Sequence, residues 1–94
     1  MTGHYQWDER KRLTNLQKHG IDFLDACSIF DDPHAITIAD PDHSDKEDRY
    51  VTIGRSKAGR LIVVIATDRP PEVRLISARQ ATPRESRSYR GQER

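Results

Sequence analysis

The chain has 94 residues, 34% of them hydrophobic and 33% charged, and its sixteen Lys and Arg against fifteen Asp and Glu leave a formal net charge of +1. That length supports one small domain with one modest core, and the single Cys27 excludes an intramolecular disulfide. The longest apolar run, 61–66, is too short to span a bilayer, and no basic segment followed by an apolar stretch opens the chain. A soluble, cytoplasmic protein is expected.

Residues 5–7 suit a short first strand. Asp8 can then cap a helix that runs to His19 with Leu13 and Leu16 facing inward, and Gly20 supplies its C-terminal stop. Asp22 caps a second helix, in which Phe23, Ala26, Cys27 and Phe30 fall at i, i+3, i+4 and i+7 and form one apolar stripe ended by Asp31-Asp32-Pro33. Cys27 within that stripe reads as a buried free thiol of a reducing compartment. Residues 35–39 alternate as a strand, and a polar loop follows from Asp40 to Asp48.

Three more strands are expected over 49–55, 60–67 and 73–79. The connections Ser56-Lys57-Ala58-Gly59 and Asp68-Arg69-Pro70-Pro71-Glu72 are short and turn-rich, which favours antiparallel hairpins. Leu61-Ile62-Val63-Val64-Ile65 lacks alternation and should be a central strand covered on both faces. Thr82, Pro83 and Glu85 then supply a cap, a first helical residue and a capping box for a last helix, and the tail beyond Tyr89, 91–94 in particular, should fray. The fold class is α+β: one domain over 1–94, an antiparallel sheet of four to five strands, two N-terminal helices and one C-terminal helix.

The net charge conceals a division. Residues 1–48 hold five Lys or Arg and eleven Asp or Glu, whereas residues 49–94 hold eleven and four, and all but one of those later cations are arginine. Either an acidic partner such as nucleic acid meets this arginine-rich half, or the arginines are a solvated surface partly paired with the acidic half. Arg79 stands out, because it ends a strand beside a helix carrying Arg84, Arg87 and Arg90, and planar guanidinium groups pair bidentately with phosphate.

Trp7-Asp8, Asn15, Lys18-His19-Gly20, Ala26, Phe30-Asp31-Asp32-Pro33, Glu47-Asp48-Arg49, Ile53-Gly54, Gly59-Arg60, the 74–79 segment, Ala81, Glu85 and Tyr89 resemble, in order and spacing, the BrnT family of bacterial type II toxins. The resemblance covers nearly the whole chain. It implies a RelE-like fold and a metal-independent ribonuclease that inhibits translation and growth. It also implies a BrnA-like antitoxin that neutralises the toxin in a hetero-oligomer and alone touches operator DNA. Tyr5-Gln6 stands where Phe-Glu is common, and Leu75 replaces the usual isoleucine; both departures are peripheral to the chemistry.

Metal-free RNA cleavage needs a base for the 2′-hydroxyl, cations for the charged phosphorane and an acid for the departing 5′-oxygen. Glu47 and His19 are candidate bases or acids, and Lys18, Arg49 and Arg79 are candidate cationic stabilisers. Tyr89 is a candidate stacking or proton-donating group, and Arg74, Arg84 and Arg87 are candidate RNA contacts. Each has a plainer reading: Lys18 and His19 as favourable charges at a helix C-terminus, Glu47 and Arg49 as an exposed ion pair, and Tyr89 as a packing residue. The acidic loop does not fit an EF-hand, since its sixth and twelfth positions counted from Asp40 are Asp45 and Val51. His4 and His34 lack zinc-ligand spacing, so neither metal nor cofactor is expected. The alternative class is a non-catalytic nucleic-acid-binding or transcriptional-regulatory module, which the same arginines would serve.

Overall fold

The computed structural model describes residues 4–40 and 48–92. They form five strands, β1 (Tyr5–Gln6), β2 (Ile36–Ala39), β3 (Arg49–Arg55), β4 (Leu61–Arg69) and β5 (Glu72–Gln80), with helices α1 (Glu9–His19), α2 (Phe23–Ala26) and α3 (Pro83–Gln92). The sheet order is β1-β5-β4-β3-β2, so β4 is central as its unbroken apolar run requires. Neighbouring strands are antiparallel except β1, which lies parallel to β5 and makes the sheet mixed rather than purely antiparallel. The β4–β5 hairpin closes on Pro70-Pro71 alone, because both strands extend further into the connection than their alternation suggests.

Helix α1 begins and ends as its sequence dictates. Asp8 accepts from the Arg10 amide, and Gly20, at φ 70°, returns its N–H to the Leu16 carbonyl. Its inward face is not the expected one. Leu13 and Leu16 are 54% and 38% exposed, and the buried residue is Asn15. Strand β1 pairs with β5 only at Val73 and Arg74, leaving the rest of that edge open, and Asn15 fills it. Its Nδ2 donates to the carbonyls of Ala78 (2.8 Å) and Ile21 (3.0 Å), and its Oδ1 accepts from the Ala78 amide (3.0 Å). One amide side chain thus completes the ladder where a strand is missing.

The second helix also departs from its pattern. Only Phe23–Ala26 is α-helical, and Cys27–Asp31 tightens into a 3₁₀ segment. The Ser28 hydroxyl and the Cys27 thiol both donate three residues back, to the Asp25 and Leu24 carbonyls, competing with the i−4 ladder. The tighter winding shifts the inward face to a spacing of three, so Ile29 takes the fully buried place that the expected stripe gave to Cys27 and Phe30. Phe23, Ala26 and Ile29 are fully buried with Ile21, Ile62, Val64, Ala66, Leu75 and Ala78, while Tyr5, Trp7, Cys27 and Phe30 pack around them. Cys27 is free and half-buried rather than enclosed. Trp7 meets Phe23 edge-on at 5.9 Å, and Tyr5 stacks on Phe30 at 5.5 Å.

The 3₁₀ segment crosses β3 at Gly54, where only glycine fits. A Cβ there would lie 2.9 Å from Ile29 Cβ and 3.0 Å from the Ile29 carbonyl oxygen. Gly54→Ala must therefore push the segment off the sheet at a cost of about 1–3 kcal/mol. The expected thermal midpoint falls by on the order of 10 °C; a midpoint within a degree of the parent would show that the contact yields freely.

Candidate functional site

The register of the sheet assigns its second face, since directly paired residues share a side and neighbours along a strand alternate. Ile62, Val64 and Ala66 point into the core, so Leu61, Val63, Ile65 and Thr67 point away from it. Their partners Arg55, Ile53, Val51 and Arg49 on β3, and Arg79, Ser77 and Arg74 on β5, do likewise. Four arginines therefore share one face around an apolar strip. Arg49 and Arg74 flank Thr67 at one end. Arg79 flanks Val63 nearer the other, four β4 residues and roughly 13 Å away.

Each arginine is held differently. Arg79 grips Glu85 bidentately, Nη1 to Oε1 at 2.8 Å and Nη2 to Oε2 at 2.9 Å, and Nη1 also reaches the Gln80 carbonyl. Three of its five N–H donors are thereby used and two are left. Glu85 simultaneously closes the expected capping box, accepting from the Thr82 amide (2.9 Å) while its own amide donates to Thr82 Oγ1 (3.2 Å). Arg74 donates to Gln6 Oε1 at 3.0 Å, and Gln6 in turn donates to Glu72. Arg49 is half-buried at the mouth of β3, and its Nε has no hydrogen-bond partner among the described residues. Arg55 lies over the Tyr89 ring, 5.5 Å from its centroid.

Helix α3 is therefore fastened to this face twice, to β5 through Arg79–Glu85 and to β3 through Arg55–Tyr89. Val63, which pairs with Arg79 on one side and with Ile53 on the other, is 1% exposed. The helix continues to Gln92, past the point where fraying is expected. Tyr89 is itself 1% exposed and donates its hydroxyl to Asp32 Oδ2, so it anchors α3 instead of offering a ring or proton to a cleft. Arg84 and Arg87 are exposed on α3.

The two carboxylates at these fastenings are acidic for stated reasons. Hydrogen bonds from Arg79 pull Glu85 down to about 2, with burial opposing and the Thr82 amide assisting. Burial pushes Asp32 up, but Tyr89 and the amides of Arg55 and His34 outweigh it, so its carboxyl also stays below the ordinary range. A folded-state pKa below the unfolded value stabilises the fold above the unfolded pKa, and that contribution disappears as pH falls through the folded pKa. For Glu85 the window runs from about 4.3 in the unfolded chain down to about 2. The pair is partly solvated, so the loss is modest. Thermal midpoints should decline across this window, and Glu85→Gln should lower the midpoint at pH 7 while flattening the decline; an equally steep decline in the variant would assign the acid sensitivity elsewhere.

Lys18 and His19 sit apart from the arginine face, on the last turn of α1. They line a groove of about 320 Å³ between the helix and the open edge of β5, where Ile76 and Ser77 form the opposite wall. Helix α1 follows β1, which is parallel to β5, and Arg60 donates to the Gly20 carbonyl from the turn that starts β4. Lys18 and His19 thus lie beyond Asn15 toward the Arg79 end of β5. Strand β5 joins the two regions, carrying Arg74, Ser77 and Arg79 on the arginine face and Ser77 in the groove. Glu47 lies outside the described residues, as does most of the acidic loop. Among the described residues no three His, Cys, Asp or Glu side chains gather as a metal site, and no helix is long and apolar enough to cross a membrane.

The residues sequence reasoning passes over are Asn15 as an edge filler, Arg55 and Asp32 as the seat of Tyr89, and Arg10 and Lys11 in the groove. Asn15 carried a signal, since asparagine inside a helix calls for a partner. Arg10 and Lys11 carried none, because a basic pair on a first helix is ordinary until β5 is known to run beside it.

An α+β chain with an arginine-bearing sheet face and a Lys-His pair at the sheet edge has the makings of a phosphodiester-handling protein. The family model described as ribonuclease toxin, BrnT, of type II toxin-antitoxin system matches residues 7–85, and the chain belongs to that family. The 1.1 Å crystal structure of the Brucella abortus ribonuclease toxin BrnT is similar at 32% identity and a TM-score of 0.62, covering 86% of this chain and 99% of that one. No curated protein matches. As a type II toxin, the chain has an antitoxin as its partner.

Proposed function

We propose that this chain is a metal-independent endoribonuclease of RelE-like type that acts in the cytoplasm, cleaves RNA by attack of a 2′-hydroxyl on the adjacent phosphate, and is silenced by a BrnA-like antitoxin that alone contacts operator DNA. The observation that supports it best is the Lys18–His19 pair in an open groove beside the strand that carries Arg79. His19 offers two ring nitrogens that can accept and donate hydrogen bonds, as a general acid or base must. Lys18 and the two remaining donors of Arg79 supply positive charge for the phosphorane. Arg79 is presented rigidly, because Glu85 fixes its plane. Arg49, with a buried donor unused, extends the site along the sheet face it shares with Arg79, Glu47 is a further candidate acid or base, and Arg74, Arg84 and Arg87 contact flanking phosphates. Tyr89 belongs to the packing of α3.

The chemistry has a direct test. Cleavage by the purified chain should survive a large excess of EDTA, and the 5′ fragments should end in a 2′,3′-cyclic phosphate, the product of internal attack rather than of a metal-bound water. Activity lost on chelation and restored by Mg²⁺, with linear phosphate ends, would overturn this reading.

A further inference from the structure

The groove beside β5 contains more cationic groups than cleavage requires. Arg10 and Lys11 line it together with Lys18 and His19, facing Ile76 and Ser77, and no carboxylate is among its walls. Of the acidic groups nearest in sequence, Asp8 caps α1 by accepting from the Arg10 backbone amide, and Glu9 and Asp22 are engaged by Arg12 at 2.7 Å and 3.0 Å. Arg10, Lys11 and Lys18 form no ion pair with any described residue. Arg10 and Lys18 are eight residues apart on α1, about 12 Å along its axis, so the cations form a line instead of a point. Three like charges in one groove repel one another until a polyanion lies there.

We infer that this groove is a single-stranded RNA track, in which Arg10 and Lys11 hold phosphates away from the reacting one while Lys18 and His19 stand at the scissile end. The inference rests on the cleavage reading of Lys18 and His19 and adds to it the path of the substrate. An acidic protein segment would meet the same charges, but the groove offers it Ile76 as its one large apolar anchor, and tight protein interfaces depend on several buried anchors. A phosphodiester chain needs only the spaced cations.

The test uses the full chain and a short 2′-O-methyl oligoribonucleotide, which cannot be cut by 2′-hydroxyl attack. Arg10→Gln/Lys11→Gln should bind it about tenfold more weakly at 50 mM salt, and the slope of log affinity against log salt should fall by about 1.4 for two lost phosphate contacts. The deficit should then shrink about sevenfold by 200 mM salt. Arg10→Lys/Lys11→Arg should restore binding, which a merely structural role would not predict. Unchanged affinity and slope in the Gln variant would overturn the track, as would loss of antitoxin binding with RNA binding intact. If the parent chain binds through these residues but leaves unmodified RNA whole, the cleavage reading fails and the track stands. If it cuts RNA and the Gln variant binds as tightly as the parent, the track alone fails.

Discussion

Arg79→Ala should reduce single-turnover RNA cleavage by about 10²–10³-fold, the usual cost of removing one preorganised donor from a developing negative charge. The expectation is sharpened by the second role of Arg79, because the same guanidinium ties β5 to α3 through Glu85. With side chains 39% and 25% exposed, the pair is a partly solvated one, and its loss should cost no more than about 1 kcal/mol, or roughly 4–8 °C in thermal midpoint. Glu85→Gln separates the two roles. It loosens the same tie yet leaves the cation in place, so it should share the stability loss and retain most of the cleavage. Cleavage and midpoint measured together on both variants decide the matter: equal loss of activity in the two would make Arg79 a structural residue, and parental activity in Arg79→Ala would remove it from the site.

How much of this was legible in the sequence depended on how local the cause was. Capping signals act within one turn, so Asp8, Gly20, Thr82 and Glu85 mark their helix ends correctly. The strands on either side of β4 follow from alternation and short connections for the same reason. Which side of α1 faces inward depended on a non-local fact, the shortness of β1, which leaves the edge of β5 to be completed by Asn15 and turns Leu13 and Leu16 outward. The site divides in the same way. Strand period alone puts Arg49 on the face of Val51 and Ile53, whereas its company with Arg74 and Arg79 emerges only from the register of three strands. Tyr89 looked available because its partners, Asp32 and Arg55, lie 57 and 34 residues away in the chain.

Asn15→Ala should be among the most destabilising single substitutions in the chain, even though helix propensity taken alone favours alanine by roughly 0.5 kcal/mol. The truncation strands the Ala78 amide, the Ala78 carbonyl and the Ile21 carbonyl, all bonded by the Asn15 side chain in a site where that residue is 6% exposed. Each buried polar group left without a partner costs about 1–3 kcal/mol; partial access of water reduces the sum to about 3–5 kcal/mol, several times the propensity gain. Asn15→Asp should be no better at pH 7, since a carboxylate can still accept from Ala78 but offers neither carbonyl a donor, and it should recover as acid protonates it. Urea unfolding of the two variants with pH measures both effects. The consequence extends to function, because Asn15 seats the helix that carries Arg10, Lys11, Lys18 and His19: below its lowered midpoint, Asn15→Ala should cleave RNA more weakly than its folded fraction accounts for. A variant as stable as the parent would mean that the open edge of β5 is satisfied without Asn15, and the groove beside it would then need a different support.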